Sequence, residues 1–113
     1  MNDERLNRLE TVMRGAAAKT IRLLRPHGGV MKTASDQGVR AASSAFTQAI
    51  EALGRKGRDQ ANRLQCAYAE AREAAGVLEL FVELGDVDAK AAREALELWD
   101  RSRAMLWRRL NPR

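Results

Sequence analysis

Apolar and small residues recur every three or four positions along most of the chain, interrupted by short stretches of glycine, proline and charge. That spacing lays a single apolar stripe along a helix. A first helix is predicted over about 3–25, on Leu6, Leu9, Met13, Ala16, Ala17, Thr20, Leu23 and Leu24. Asp3 and Glu4 suit its positive end, and Pro26-His27-Gly28-Gly29 stops it. A second is predicted over 34–53, opened by Thr33-Ala34-Ser35-Asp36, a capping box with Asp in place of Glu. Its stripe is Val39, Ala42, Phe46, Ala49, Ile50 and Leu53, and Gly54 closes it. The third, over 59–84, starts at Asp59, carries Leu64, Ala67, Tyr68, Ala71, Ala74, Ala75, Leu78, Phe81 and Val82, and stops before Gly85. Asp88 caps a fourth over 89–110, which Asn111-Pro112 ends.

Connections this short favour antiparallel neighbours, so the expected fold is all-α: an up-down-up-down four-helix bundle forming a single domain over 1–113. The composition sharpens this picture. Alanine fills 20 positions, while the aromatics are only Phe46, Tyr68, Phe81, Trp99 and Trp107, which predicts close helix packing around a thin core. On the fourth helix, at ~100° per residue, Trp99, Leu106 and Leu110 form one line, flanked by Leu96 and Trp107 on one side and Leu98 and Met105 on the other. The resulting arc of ~200° exceeds the ~100° of a helix packed on one core. It is either a wide core face with stray surface residues, or a helix that also packs on another subunit. The thin core favours self-association through Leu96, Leu98, Met105 and Trp107.

The formal charge of +5 is unevenly spread. The stretch 54–63 nets +3, from Arg55, Lys56, Arg58 and Arg63 against Asp59, and 101–113 nets +5. The stretches 64–84 and 85–100 each net −3. In an antiparallel bundle the loop after the second helix, the chain start with Arg5 and Arg8, and the C-terminal end share one pole. Glu79, Glu83, Asp86 and Asp88 gather at the other. An arginine fork donates paired hydrogen bonds to phosphate and stays charged. Arg55, Lys56, Arg58, Arg63, Arg101, Arg108, Arg109 and Arg113 are therefore the candidate nucleic-acid contacts, ahead of an acidic protein or a membrane surface as partner. A solvated arginine surface paired with nearby acids such as Glu4, Glu10 and Asp100 is the bland counterpart. No helix-turn-helix signature, zinc finger or aromatic RNA platform points to base-specific reading.

Chemistry is otherwise sparse, and neither an enzyme nor a cofactor is expected. His27 is the one histidine and lies in a turn, leaving nothing for a triad or a histidine metal site. Cys66, mid-helix, reads as a small core residue; alone it allows no internal disulfide and fits a reducing cytoplasm. Glu70 with Glu73, and Glu94 with Glu97, have i,i+3 spacing for paired carboxylates, but no Glu-x-x-His accompanies them. Gly54-Arg55-Lys56-Gly57-Arg58 lacks the spacing and the Ser/Thr of a phosphate loop. No apolar run approaches the ~20 residues of a membrane span, and no secretory signal opens the chain.

From Arg40-Ala41-Ala42-Ser43-Ser44 through Ile50-Glu51-Ala52-Leu53-Gly54-Arg55, the second helix resembles that of the four-helix-bundle proteins encoded in 23S ribosomal RNA intervening sequences. That family shows Arg-Ala-Ala followed by Asn-Ile-Ala-Glu-Gly, one residue, and Gly-Arg. Ala67 with Ala71-Arg72-Glu73-Ala74-Ala75, Leu84-Gly85 and Met105-Leu106-Trp107-Arg108-Arg109-Leu110 extend the likeness over about 40–110. The chain departs from the pattern at Gln48, where Asn is usual, at Ala52, where Gly is, and at Ala69-Glu70, where Gly-Ser is common; one residue is also missing between Arg55 and Ala67.

The resemblance implies a homopentamer without enzymatic activity. The accessory variability protein of diversity-generating retroelements is similar: a basic pentamer of the same fold that binds nucleic acid and a reverse transcriptase. The expected function is thus a cytoplasmic, non-enzymatic nucleic-acid-binding accessory protein that holds RNA or DNA through phosphates and serves a reverse transcriptase. A structural protein–protein adaptor is the alternative. The matching Ser44, Glu51, Gly54 and Glu73 are read as structural, with Glu51 pairing Arg55 at i,i+4. Arg55 is the matching residue assigned to the basic pole.

Overall fold

Residues 4–112 are described by the computed structural model, with side chains from Arg8 onward; Arg113 and Arg5 therefore lie outside the described side chains. Four helices run antiparallel: α1 (Glu4–Leu24), α2 (Lys32–Leu53), α3 (Gly57–Glu83) and α4 (Ala89–Leu110), with a 3-10 turn at Gly29–Met31 between α1 and α2. No strand occurs among the described residues. Each helix packs on the helix before or after it in sequence, α4 closes the ring against α1, and the α2–α3 contact is the most extensive. The body measures 46 × 23 × 20 Å, so its two ends are well separated.

Helix ends follow local chemistry where side chains can reach. Asp88 caps α4 by accepting from the Ala91 amide at 2.8 Å. Past α3, Gly85 adopts φ 75, letting its amide reach the Val82 carbonyl at 2.9 Å and the Asp86 amide the Phe81 carbonyl at 3.0 Å. This is the Schellman arrangement, which favours glycine because L side chains avoid that backbone region. Two expectations need correction. Helix α2 starts at Lys32 without a side-chain cap. The capping box expected of Thr33 and Asp36 does not form: Asp36 pairs with Lys32, and Ser35 between them donates to the buried Leu24 carbonyl at the end of α1, at 2.6 Å. Helix α3 begins at Gly57, two residues before Asp59, which sits in its first turn.

The core divides in two. Around Trp99 gather Leu9, Met13, Leu64 and Leu106, and toward the other end Leu24, Leu78 and Phe81 form a second cluster. Trp99 and Thr20 are fully buried, and the indole Nε1 donates to Thr20 Oγ1 at 2.7 Å, so neither polar atom is orphaned.

The buried face of α2 is rotated from the predicted stripe. Ala41, Ala42, Ala45, Ala49 and Ala52 are buried with Gly38, whereas Val39, Phe46 and Leu53 are half-buried and Ile50 is exposed. Opposite them lie Ala67, Ala71, Ala74 and Ala75 of α3. Small residues on both sides let the two backbones approach closely, and dispersion contacts replace bulky side chains. Cys66 is also corrected: it is exposed, because Leu64, Ala67 and Ala71 aim the buried face of α3 away from it.

Candidate nucleic-acid interface

Antiparallel topology brings the start of α1, the α2–α3 loop and the end of α4 to one end of the body. There Arg8, Arg101, Arg108 and Arg109 line an open groove of about 760 Å³, with Gln60, Ala104, Met105 and Pro112. Arg101 and Arg108 are seven residues apart and share one stripe of α4, facing Arg8 across the α1–α4 seam. Ala104 between them keeps the floor low. Among the described residues no ion pair involves Arg8, Arg101 or Arg108. Their charge is thus presented outward, while the negative end of the α4 dipole suits Arg108 and Arg109 in its last turn.

The rest of the predicted pole is arranged differently. Arg55 pairs with Asp59 at 2.8 Å, and Arg63 pairs with Glu51 and also donates to Gln48 Oε1 at 3.3 Å. The expected Glu51–Arg55 pair is therefore absent: Arg63 reaches Glu51 across the α2–α3 seam, and Arg55, past the end of α2, turns to the first turn of α3. Lys56 and Arg58 are exposed without an ion pair among the described residues, and neither lines the groove. Arg113 lies outside the described residues. Arg8, which topology placed at this pole but which the predicted contact set left out, also lines the groove.

The carboxylate pair Glu70 and Glu73 is occupied by Arg40, at 3.3 Å and 3.0 Å. Hydrogen bonds with Glu70, then Glu73, raise the guanidinium's proton affinity further. Ser44 donates to Glu70 at 3.3 Å, and Gln60 Nε2 donates to the Ala52 and Arg55 carbonyls. Together with Arg63–Glu51 these make a polar seam clamping α2 to α3, which is where Ser44, Glu51 and Glu73 are used. His27 packs edge-on against Phe81, with ring centroids 4.9 Å apart. Among the described residues no helix is long and apolar enough to cross a membrane.

Of the four residues assigned to self-association, Leu96, Leu98 and Met105 are half-buried and packed on the chain's own core. Leu98 fits against Gly15 of α1, whose missing side chain makes room for it. Trp107 remains 56% exposed, with its ring 6.2 Å from that of Tyr68.

The architecture has a close counterpart among solved structures. A protein of unknown function from the S23 ribosomal protein family of Bacteroides thetaiotaomicron superposes with a TM-score of 0.80, at 20% identity, over 94% of this chain and 97% of that one. At that identity the likeness establishes the fold. No protein-family model and no curated protein matches the chain.

Proposed function

We propose that this chain is a divergent member of the family of 23S ribosomal RNA intervening-sequence proteins and acts as a non-enzymatic, nucleic-acid-binding accessory protein. The observation that carries the reading is the groove: Arg8, Arg101, Arg108 and Arg109 converge on one open surface at the end of the bundle opposite the acids of the α3–α4 turn. Guanidinium groups in such a surface exchange condensed counterions for phosphate contacts, giving affinity that depends on salt rather than on sequence. Assembly into a homopentamer, which the family likeness supports, would repeat the groove and raise avidity without new contacts. The acidic end, with Glu79, Glu83 and Asp86 exposed, is left for a protein partner such as a reverse transcriptase.

The test separates charge position from charge total. Arg101→Gln with Arg108→Gln should weaken RNA and DNA binding and lower the slope of log affinity against log salt by about two. Arg22→Gln with Arg25→Gln removes the same charge from the far end of α1 and should leave binding unchanged. Equal losses from both pairs, or no retention of nucleic acid even at low salt, would refute the proposal. Salt-resistant capture of a protein by a chain that binds no nucleic acid would establish the adaptor instead. Native mass spectrometry at low and high salt reads the stoichiometry and any bound nucleic acid together.

A further inference from the structure

The seam between α3 and α4, around the corner from the groove, holds an aromatic pair that no core requires to be exposed. Trp107 is 56% exposed, and the half-buried Tyr68 of α3 lies beside it, centroids 6.2 Å apart and planes at 48°. The i−3 and i+4 neighbours of Tyr68 are Gln65 and Arg72, and Arg58 lies a further seven residues back from Gln65. All three are exposed, and no ion pair among the described residues involves Arg58 or Arg72. On α4, Arg108 follows Trp107, and Ala104, one turn before the indole, floors the groove. An open indole thus stands on a side of the bundle where both α3 and α4 carry exposed arginines, and its neighbours Ala104 and Arg108 on α4 line the arginine groove.

We propose that Trp107, supported by Tyr68, stacks an unpaired nucleobase, so that this protein prefers single-stranded nucleic acid over duplex. The inference rests on the nucleic-acid reading given above. Every base offers a π-face to an aromatic ring, so stacking adds affinity without sequence choice, and only unstacked bases can use it. In a duplex the bases are already stacked, and only the phosphates remain to be held. A second copy of the chain is the poorer occupant. The apolar neighbours that would complete a self-docking face, Leu96, Leu98 and Met105, are engaged in the chain's own core.

The probes are an oligothymidylate of about twelve nucleotides and a duplex of the same length, titrated into wild type, Trp107→Ala and Trp107→Phe at low salt. Trp99 is fully buried, so quenching of tryptophan emission by the single strand reports on Trp107. We expect that quenching in wild type and its loss in Trp107→Ala. Single-strand affinity should fall about 5- to 150-fold, the equivalent of ~1–3 kcal/mol, with duplex affinity unchanged and Trp107→Phe retaining most of the preference. Trp107→Ala binding the single strand like wild type, or losing both probes equally, overturns the inference. So does a drop in oligomeric state on sedimentation with quenching never seen, which would assign the ring to self-contact. If Arg101→Gln with Arg108→Gln weakens both probes while Trp107→Ala weakens neither, the stacking alone is wrong. If neither probe binds any variant, the nucleic-acid reading falls and takes the inference with it.

Discussion

Gly38 and Gly76 offer the same substitution with opposite expected signs. Both lie inside helices, Gly38 on α2 and Gly76 on α3, and alanine is worth ~0.5–1 kcal/mol over glycine in a helix interior. At Gly76 nothing lies within 4 Å of the added methyl, so Gly76→Ala should collect that gain and raise Tm by roughly 2–5 °C. At Gly38 the methyl would overlap Leu24 Cδ1 and stand 2.8 Å from Val77 Cγ1 and 3.2 Å from Val77 Cβ. Leu24 is fully buried, and the β-branched Val77 has little rotamer freedom on α3, so neither can simply swing away. Overpacking of this kind costs ~1–3 kcal/mol, and subtracting the propensity gain leaves a net loss of about 0.5–2 kcal/mol. Gly38→Ala should therefore lower Tm by roughly 2–10 °C. Thermal and urea unfolding at a fixed protein concentration, with any self-association held constant, reads both values. If Gly38→Ala stabilises as Gly76→Ala does, α1, α2 and α3 do not meet as closely as described.

Thr20→Val keeps the shape of the side chain but strips the acceptor from Trp99 Nε1, and should cost ~1–3 kcal/mol in urea unfolding; an unchanged midpoint would mean the indole finds another partner. Asp88→Ala should cost ~0.5–2 kcal/mol through loss of the α4 cap, while Asp88→Asn, an equally good capping residue, should recover most of it. The exposed Cys66 should react with a thiol reagent in the native protein, one label per chain; protection until denaturant is added would show that the outer face of α3 is covered.

Particular elements show why some features were legible and others were not. Asp88 and Gly85 act within one turn of their own position, so their roles can be read from a few adjacent residues. Thr33 and Asp36 fit a local capping motif, yet Asp36 pairs with Lys32, and Ser35 between them donates to the Leu24 carbonyl, eleven residues earlier. The face of α2 was misplaced because a hydropathy stripe weights Ile50 and Val39 above alanine, whereas a close helix crossing selects for small size. The basic pole was foreseeable from topology and net charge. Its division into an open groove and a flank where Arg55 and Arg63 are paired depended on which acids those two arginines could reach.

By itself the sequence determined four amphipathic helices, their short antiparallel connections and an unequal distribution of charge along them, because periodicity, turn residues and charge runs all act over a few positions. Tertiary structure decided which alanines meet, which ion pairs close between α2 and α3, that Arg8 joins Arg101, Arg108 and Arg109, and that Trp107 alone of its apolar arc stays open. Those outcomes depend on distances between segments far apart in the chain, set by how closely the helices approach, and no local pattern carries them.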